Sequence, residues 1–160
     1  MQRRQFVIAA AALPLAAHYH HRAQAHHGWS SFDQSRPLYL EGRVAKAAWR
    51  NPHAELQLDV APDLKLPADL ASRPVPAQTA PVDGPALLKA ATLPQRKDSR
   101  WEIELAPLSR LDAWKVAEIK AGDRIAVLGF TFAGEKGDAV LRADYLWAAG
   151  KTYALRSAPA

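Results

Sequence analysis

Five of the six histidines, His18, His20, His21, His26 and His27, fall within ten residues near the amino terminus, and the sixth is His53. The chain has no cysteine and its one methionine is the initiator, so a metal here must be held by nitrogen and oxygen. Ala23-Gln24-Ala25 is an A-x-A cleavage signal. A cut after Ala25 makes His26 the amino terminus, and its α-amine and imidazole Nδ1 then chelate one ion in a six-membered ring. One further imidazole completes a histidine brace, with His53 the natural candidate and the adjacent His27 the other. Three neutral nitrogens in a T suit Cu(II), which tops the divalent affinity order and favours tetragonal sites. The α-amine, with a pKa of about 7.7 to 8.0, sheds its proton for a metal at small cost near neutrality. A cut after Ala23 would instead leave Gln24-Ala25-His26, a third-position histidine that binds Cu(II) through deprotonated backbone amides. His21, three residues before that cut, fits the small-residue rule poorly. The plain alternatives are solvated histidines at 26 and 27 and a loop histidine at 53 bonded to backbone.

Other chemistries leave fainter traces. Glu102 and Glu104 share the polar face of a strand pattern and read as solvated carboxylates rather than an acid-base pair. Ser30, Ser31, His27 and Asp33 supply the residue types of a triad, but nothing resembles a nucleophile elbow. There is no phosphate loop and no dinucleotide fingerprint. Of the five tryptophans, Trp29 and Trp49 flank the candidate metal residues and are placed to shield them, while the others read as packing. No residue is assigned a catalytic role, and an oxidative enzyme built on the same brace is the weaker form of the metal reading because no substrate surface is identifiable.

Residues 1–25 read as a signal peptide: Arg3 and Arg4, an apolar run from Phe6 to Ala17, then a polar stretch to the cut. The run is too short for a membrane span, so cleavage leaves no stable membrane anchor and the product is periplasmic or secreted. Arg3-Arg4-Gln5-Phe6-Val7 resembles the twin-arginine signal. Gln2 stands where that signal prefers Ser or Thr, which keeps general secretion open as the other route. Removal of Arg3, Arg4 and Arg22 lowers the basic count from 21 to 18 against 16 acids, a net charge of +2. No basic block remains to suggest a nucleic-acid partner.

The elements that must position these residues are mostly strands. Leu38, Leu40 and Val44 alternate with polar residues; so do Leu56, Leu58 and Val60, and again Trp101, Ile103 and Leu105. Between the second and third strands, residues 62–100 hold seven of the twelve prolines and no aromatic residue, which predicts a mobile Pro-rich excursion rather than core. Ser109-Arg110-Leu111-Asp112 has the form of a helix start, with the Ser109 hydroxyl accepting the Asp112 amide and the helix ending at Ala121-Gly122-Asp123. A fourth strand, Arg124 to Phe132, is apolar on both faces and so predicts cover on both. Gly134 to Asp138 is a hairpin loop, and Ala139 to Trp147 is the fifth strand. Three strands, one helix between strands 3 and 4, then two strands, with Gly42 at a bend in the first, describe a small five-stranded OB-like Greek-key barrel. An open antiparallel α+β sheet has the same element order. The chain is read as one mainly β domain, residues 26–160, with an insertion at 62–100.

Ala25-His26-His27-Gly28-Trp29, Leu40-Glu41-Gly42-Arg43-Val44, Trp49-Arg50-Asn51-Pro52-His53 and Lys120-Ala121-Gly122-Asp123 with Val127-Leu128-Gly129 resemble a family of uncharacterised exported bacterial proteins, a domain of unknown function. The resemblance runs from about Ala25 to Trp147 and is carried by the AHH-x-W and NPH segments. It implies a periplasmic protein with an OB-like fold, no established activity, and His26, His27 and His53 as its motif histidines; the Pro-rich insertion departs from the family's shorter connection. Two functions are expected from different classes. One is a periplasmic copper-binding protein in copper handling or delivery. The other is a metal-free interaction module that docks on another exported protein.

Overall fold

The computed structural model describes residues 28–160. The expected signal peptide at 1–25, His26 and His27 lie outside the described residues. Six strands form one sheet: β1 (Leu38–Ala48), β2 (Glu55–Val60), β3 (Arg100–Glu104), β4 (Arg124–Phe130), β5 (Val140–Ala148) and β6 (Lys151–Ala154). β1 pairs antiparallel with β2 and β4, β2 with β3, and β4 with β5, while β3 and β5 run parallel and shut the ring. The open-sheet alternative is thereby removed, and the result is the small OB-like barrel. β6 lies outside the ring, antiparallel to the second half of β5, whose first half pairs with β3.

Period two explains which residues fill the barrel. Leu38, Leu40, Leu56, Leu58, Trp101, Ile103, Val127, Leu141 and Leu146 point inward and are fully buried. Gly42 sits where β1 crosses closest to β2, and a Cβ there would overlap the Asp59 carbonyl oxygen. Just beyond, the register of β1 against β2 slips by one residue between Val44 and Lys46, a bulge that bends the strand.

The outer face of β1, β4 and β5 is also dry, because the insertion lies on it. Leu70, Leu88 and Ala91 of the insertion form a second core with Tyr39, Ala126, Leu128 and Tyr145 of the barrel. This corrects the expectation of an excursion remote from the core. The segment's Leu70, Leu88 and Ala91 are spaced to land on Tyr39 of β1 and on the apolar outer face of β4, which is also why β4 reads as apolar on both sides. Within it, α1 (Gly84–Ala90) starts at Asp83, whose carboxylate accepts from the Ala86 amide at 3.0 Å, and has Pro85 in its first turn. The Tyr39 amide donates to the Thr92 carbonyl and the Thr92 amide to Pro37, both at 2.9 Å, so the end of the insertion extends the ladder at β1.

The helix between β3 and β4 is present but short. α2 (Leu108–Ala113) begins after Pro107, without the expected Ser109 cap, and stops at Trp114, well before Gly122. Lys115 then takes a left-handed φ of 54°. Only Leu111 of this helix is fully buried, and a stripe that sparse does not sustain further turns. No helix among the described residues is long and apolar enough to cross a membrane.

Candidate functional site

His53 lies in the connection between β1 and β2, half-buried, two residues before β2 begins. The chain on either side is fastened. The Ala54 amide donates to the Ala106 carbonyl at 3.2 Å, and the Leu105 amide donates back to Ala54 at 2.9 Å, carrying the β2–β3 ladder past the strand ends. On the other side the Leu108 amide donates to Asn51 Oδ1 at 3.4 Å, and Asn51-Pro52 is a cis peptide. His53 is thus a side chain on a defined backbone at one end of the barrel. Trp49, at the start of the same connection, packs against the barrel core.

Among the described residues no group of three His, Cys, Asp or Glu side chains is close enough to hold a metal. The three histidines expected to act together are therefore not brought together within the described chain: His53 is placed, and His26 and His27 lie outside it.

Beside His53, the polar edge of the sheet differs from expectation. Glu55 on β2 faces Glu104 on β3, and Glu104 faces Arg142 on β5, a row across three strands on the outside of the barrel. Glu104, expected to be solvated, is buried: Arg142 Nε and Nη2 donate to its Oε2 at 2.8 and 2.5 Å, and both side chains are under a tenth exposed. A charge pair taken so far out of water needs this convergent geometry to hold. Glu102, two residues before it, is half-buried on the same face.

Over this pair sits Trp29, the third residue after His26. The Arg142 guanidinium carbon is 5.4 Å from its ring centroid and that of Arg156 is 4.1 Å away, both within cation–π range. Phe32 and Phe130 meet the indole edge-on at 6.5 and 6.3 Å. Arg156 is held in turn by Asp144 at 2.8 Å. Asp144 is fully buried, and burial pushes its carboxyl above the usual range, with Arg156 pulling the other way. Arg110 donates to the Leu155 carbonyl at 3.0 Å; burial, and then repulsion from Arg142, lower its pKa.

This cluster was not read from the sequence. The available signal was Arg142 and Asp144 inside the otherwise apolar run Val140 to Trp147, since a strand dry on both faces can carry a charge only beside a partner. The partners, Glu104 and Arg156, are 38 and 12 residues away, and no spacing rule points to the first.

Residues 14–65 match a family described as being of unknown function, DUF6152. The matched stretch covers β1, the His53 connection and β2, and includes the AHH-x-W and NPH segments, but not Lys120 to Gly129. No curated protein and no solved structure matches the chain. What the comparison supports is an uncharacterised domain, of which the amino-terminal third of this chain carries the recognisable part.

Proposed function

We propose that the protein is an exported, periplasmic copper-binding protein that holds one Cu(II) ion through the α-amine and imidazole of a mature amino-terminal His26 and the imidazole of His53, with His27 as the alternate ligand. Its role is copper handling or delivery. The observation that supports this most is proximity along the sheet. From Arg142, under Trp29, two interstrand steps of about 4.8 Å lead to Glu55, and at right angles to them two residues of about 3.3 Å lead on to His53, a straight-line separation of about 12 Å. The three residues from Trp29 back to His26 span about 10 Å when extended. The length of an imidazole closes the difference.

The test uses the exported protein recovered from the periplasm, loaded with Cu(II), desalted against a weak chelator and weighed intact. The expected mass begins at His26 and retains one copper, and His53→Ala lowers retention at least tenfold. A mature chain that starts elsewhere, or one whose copper binding is indifferent to His53→Ala, overturns the reading. The rival, a metal-free module docking on another exported protein through the barrel face or the Pro-rich insertion, has less support at the insertion, which turns its apolar residues toward the barrel, with Leu66 the one large apolar side chain exposed among the described residues. On the barrel it would act through the polar face of β1, β2 and β3, around Lys46, Gln57 and Glu102.

A further inference from the structure

Trp29 is fixed more firmly than a residue near a chain end needs to be. Its ring contacts Arg156 at 4.1 Å and Arg142 at 5.4 Å, and each arginine is bound to a buried carboxylate, Asp144 and Glu104. Its main chain is held as well. The Phe32 amide donates to the Trp29 carbonyl at 3.1 Å, and Gln34 Nε2 donates to the same oxygen at 3.3 Å. Gln34 Oε1 accepts from Arg156 Nη1 at 2.8 Å, so one arginine secures both the indole and, through Gln34, the carbonyl. The next attachments are Phe32, stacked on Phe132 at 5.1 Å, and the Asp33 amide on the Thr131 carbonyl at 2.8 Å.

We infer that Trp29 is a positioning residue: held by Arg156 and Arg142, it sets the point from which the amino-terminal end leaves the barrel, and so keeps a His26 chelate within reach of His53. This rests on the copper reading above. With Trp29 in place the tether from anchor to His26 is three residues. Without the ring the nearest side-chain anchor is Phe32, and the tether doubles to six once the turn at 29–31, then held by main-chain bonds alone, gives way. Effective concentration falls roughly as the −3/2 power of tether length, so closing the third ligand weakens about threefold from length alone. The fixed direction of approach is lost in addition. Cu(II) would remain on the His26 amine and imidazole, with His53 engaged only part of the time.

The experiment compares the mature, processed wild type with Trp29→Ala, Trp29→Phe and His53→Ala. Copper affinity is measured against a competing chelator, and the nitrogen superhyperfine pattern is read from the Cu(II) electron paramagnetic resonance spectrum. Expected is a Trp29→Ala protein that binds copper at least threefold more weakly with a spectrum moved toward that of His53→Ala, and a Trp29→Phe protein that returns most of the wild-type pattern. A Trp29→Ala spectrum and affinity equal to wild type overturn the inference. If that variant does not fold, Arg156→Lys, which keeps the charge and loses the planar stack, must move the spectrum in the same direction or the inference falls. Hydrogen exchange at the Ser31 and Phe32 amides, without copper, separates the two claims. If the wild type and His53→Ala bind copper alike, the copper reading fails, and faster exchange in Trp29→Ala then supports the anchor while unchanged exchange overturns it.

Discussion

Arg142 shows how much one side chain can carry in a small barrel. It neutralises Glu104 across the parallel β3–β5 seam, lies 5.4 and 5.3 Å from the Trp29 and Phe32 rings, and has almost no exposed surface. Arg142→Met keeps the length of the side chain but leaves Glu104 buried without its cation, an arrangement that typically costs about 3 to 5 kcal/mol. Urea unfolding should show a loss of that size. Adding Glu104→Met to the same chain should return most of it, because two apolar groups of similar volume replace the pair. A double variant no more stable than the single one would mean that the pair does not carry the seam. At this scale the sequence was partly legible. A turn that holds His53 follows from Pro52 and its neighbours, whereas the bonds that fasten it to Leu105, Ala106 and Leu108, like the burial of Glu104, depend on segments tens of residues away in sequence.

Among elements, the insertion diverges most from its sequence signal. Its proline content and lack of aromatics argue for a loose loop, yet three attachments pin it. They are the second core around Leu88, the ladder contact at Thr92, and Glu135 in the β4–β5 loop. The Glu135 carboxylate accepts from the amides of Gln95 and Arg96 at 2.9 to 3.0 Å and pairs with Arg36 at 2.6 Å. Burial raises its pKa, but the two amides and Arg36 together outweigh burial and hold it below the usual glutamate range. A carboxyl whose folded pKa is depressed stabilises the fold fully above its unfolded value and loses that contribution as pH falls through the folded value. Exchange at residues 92–98 should therefore accelerate as pH drops below the ordinary glutamate value, after correction for the intrinsic rate. In Glu135→Gln it should be fast at neutral pH and much less pH-sensitive. Identical profiles for the two proteins would remove Glu135 as the clasp. β6 was missed for a different reason. Four residues are too few to show a period, and the turn before it puts Ala149 and Gly150 at positive φ, a pairing that lacks the Asn-Gly or Asp-Gly cue of such hairpins.

For the molecule as a whole, the two cores share β1, β4 and β5, with Leu38 and Leu40 on one side of β1 and Tyr39 on the other. Barrel and insertion should therefore unfold together. Leu88→Ala should cost about 2 to 4 kcal/mol, and tryptophan fluorescence and far-ultraviolet circular dichroism should report coincident urea transitions in both proteins. Two separated transitions would show that the insertion folds independently of the barrel. The same architecture puts His53 at one end of the barrel and leaves the insertion to cover its side. Damage to the insertion is thus expected to lower stability before it alters metal binding.

The amino-acid sequence alone determined the first three barrel strands through their period-two patterns, a bend at Gly42, the two-sided cover of β4 through its apolar run, and, by the absence of cysteine, a metal chemistry confined to nitrogen and oxygen donors. Tertiary structure decided the parallel closure of β3 on β5, the docking of a proline-rich segment as wall rather than loop, the burial of Glu104 on Arg142, and the seat of Trp29 over that pair. The division has one physical cause. Alternation, turn residues and caps act over a few residues and are visible in any short window, but a buried charge pair or a docked segment owes its energy to groups tens of residues apart, which meet only once the ring is shut.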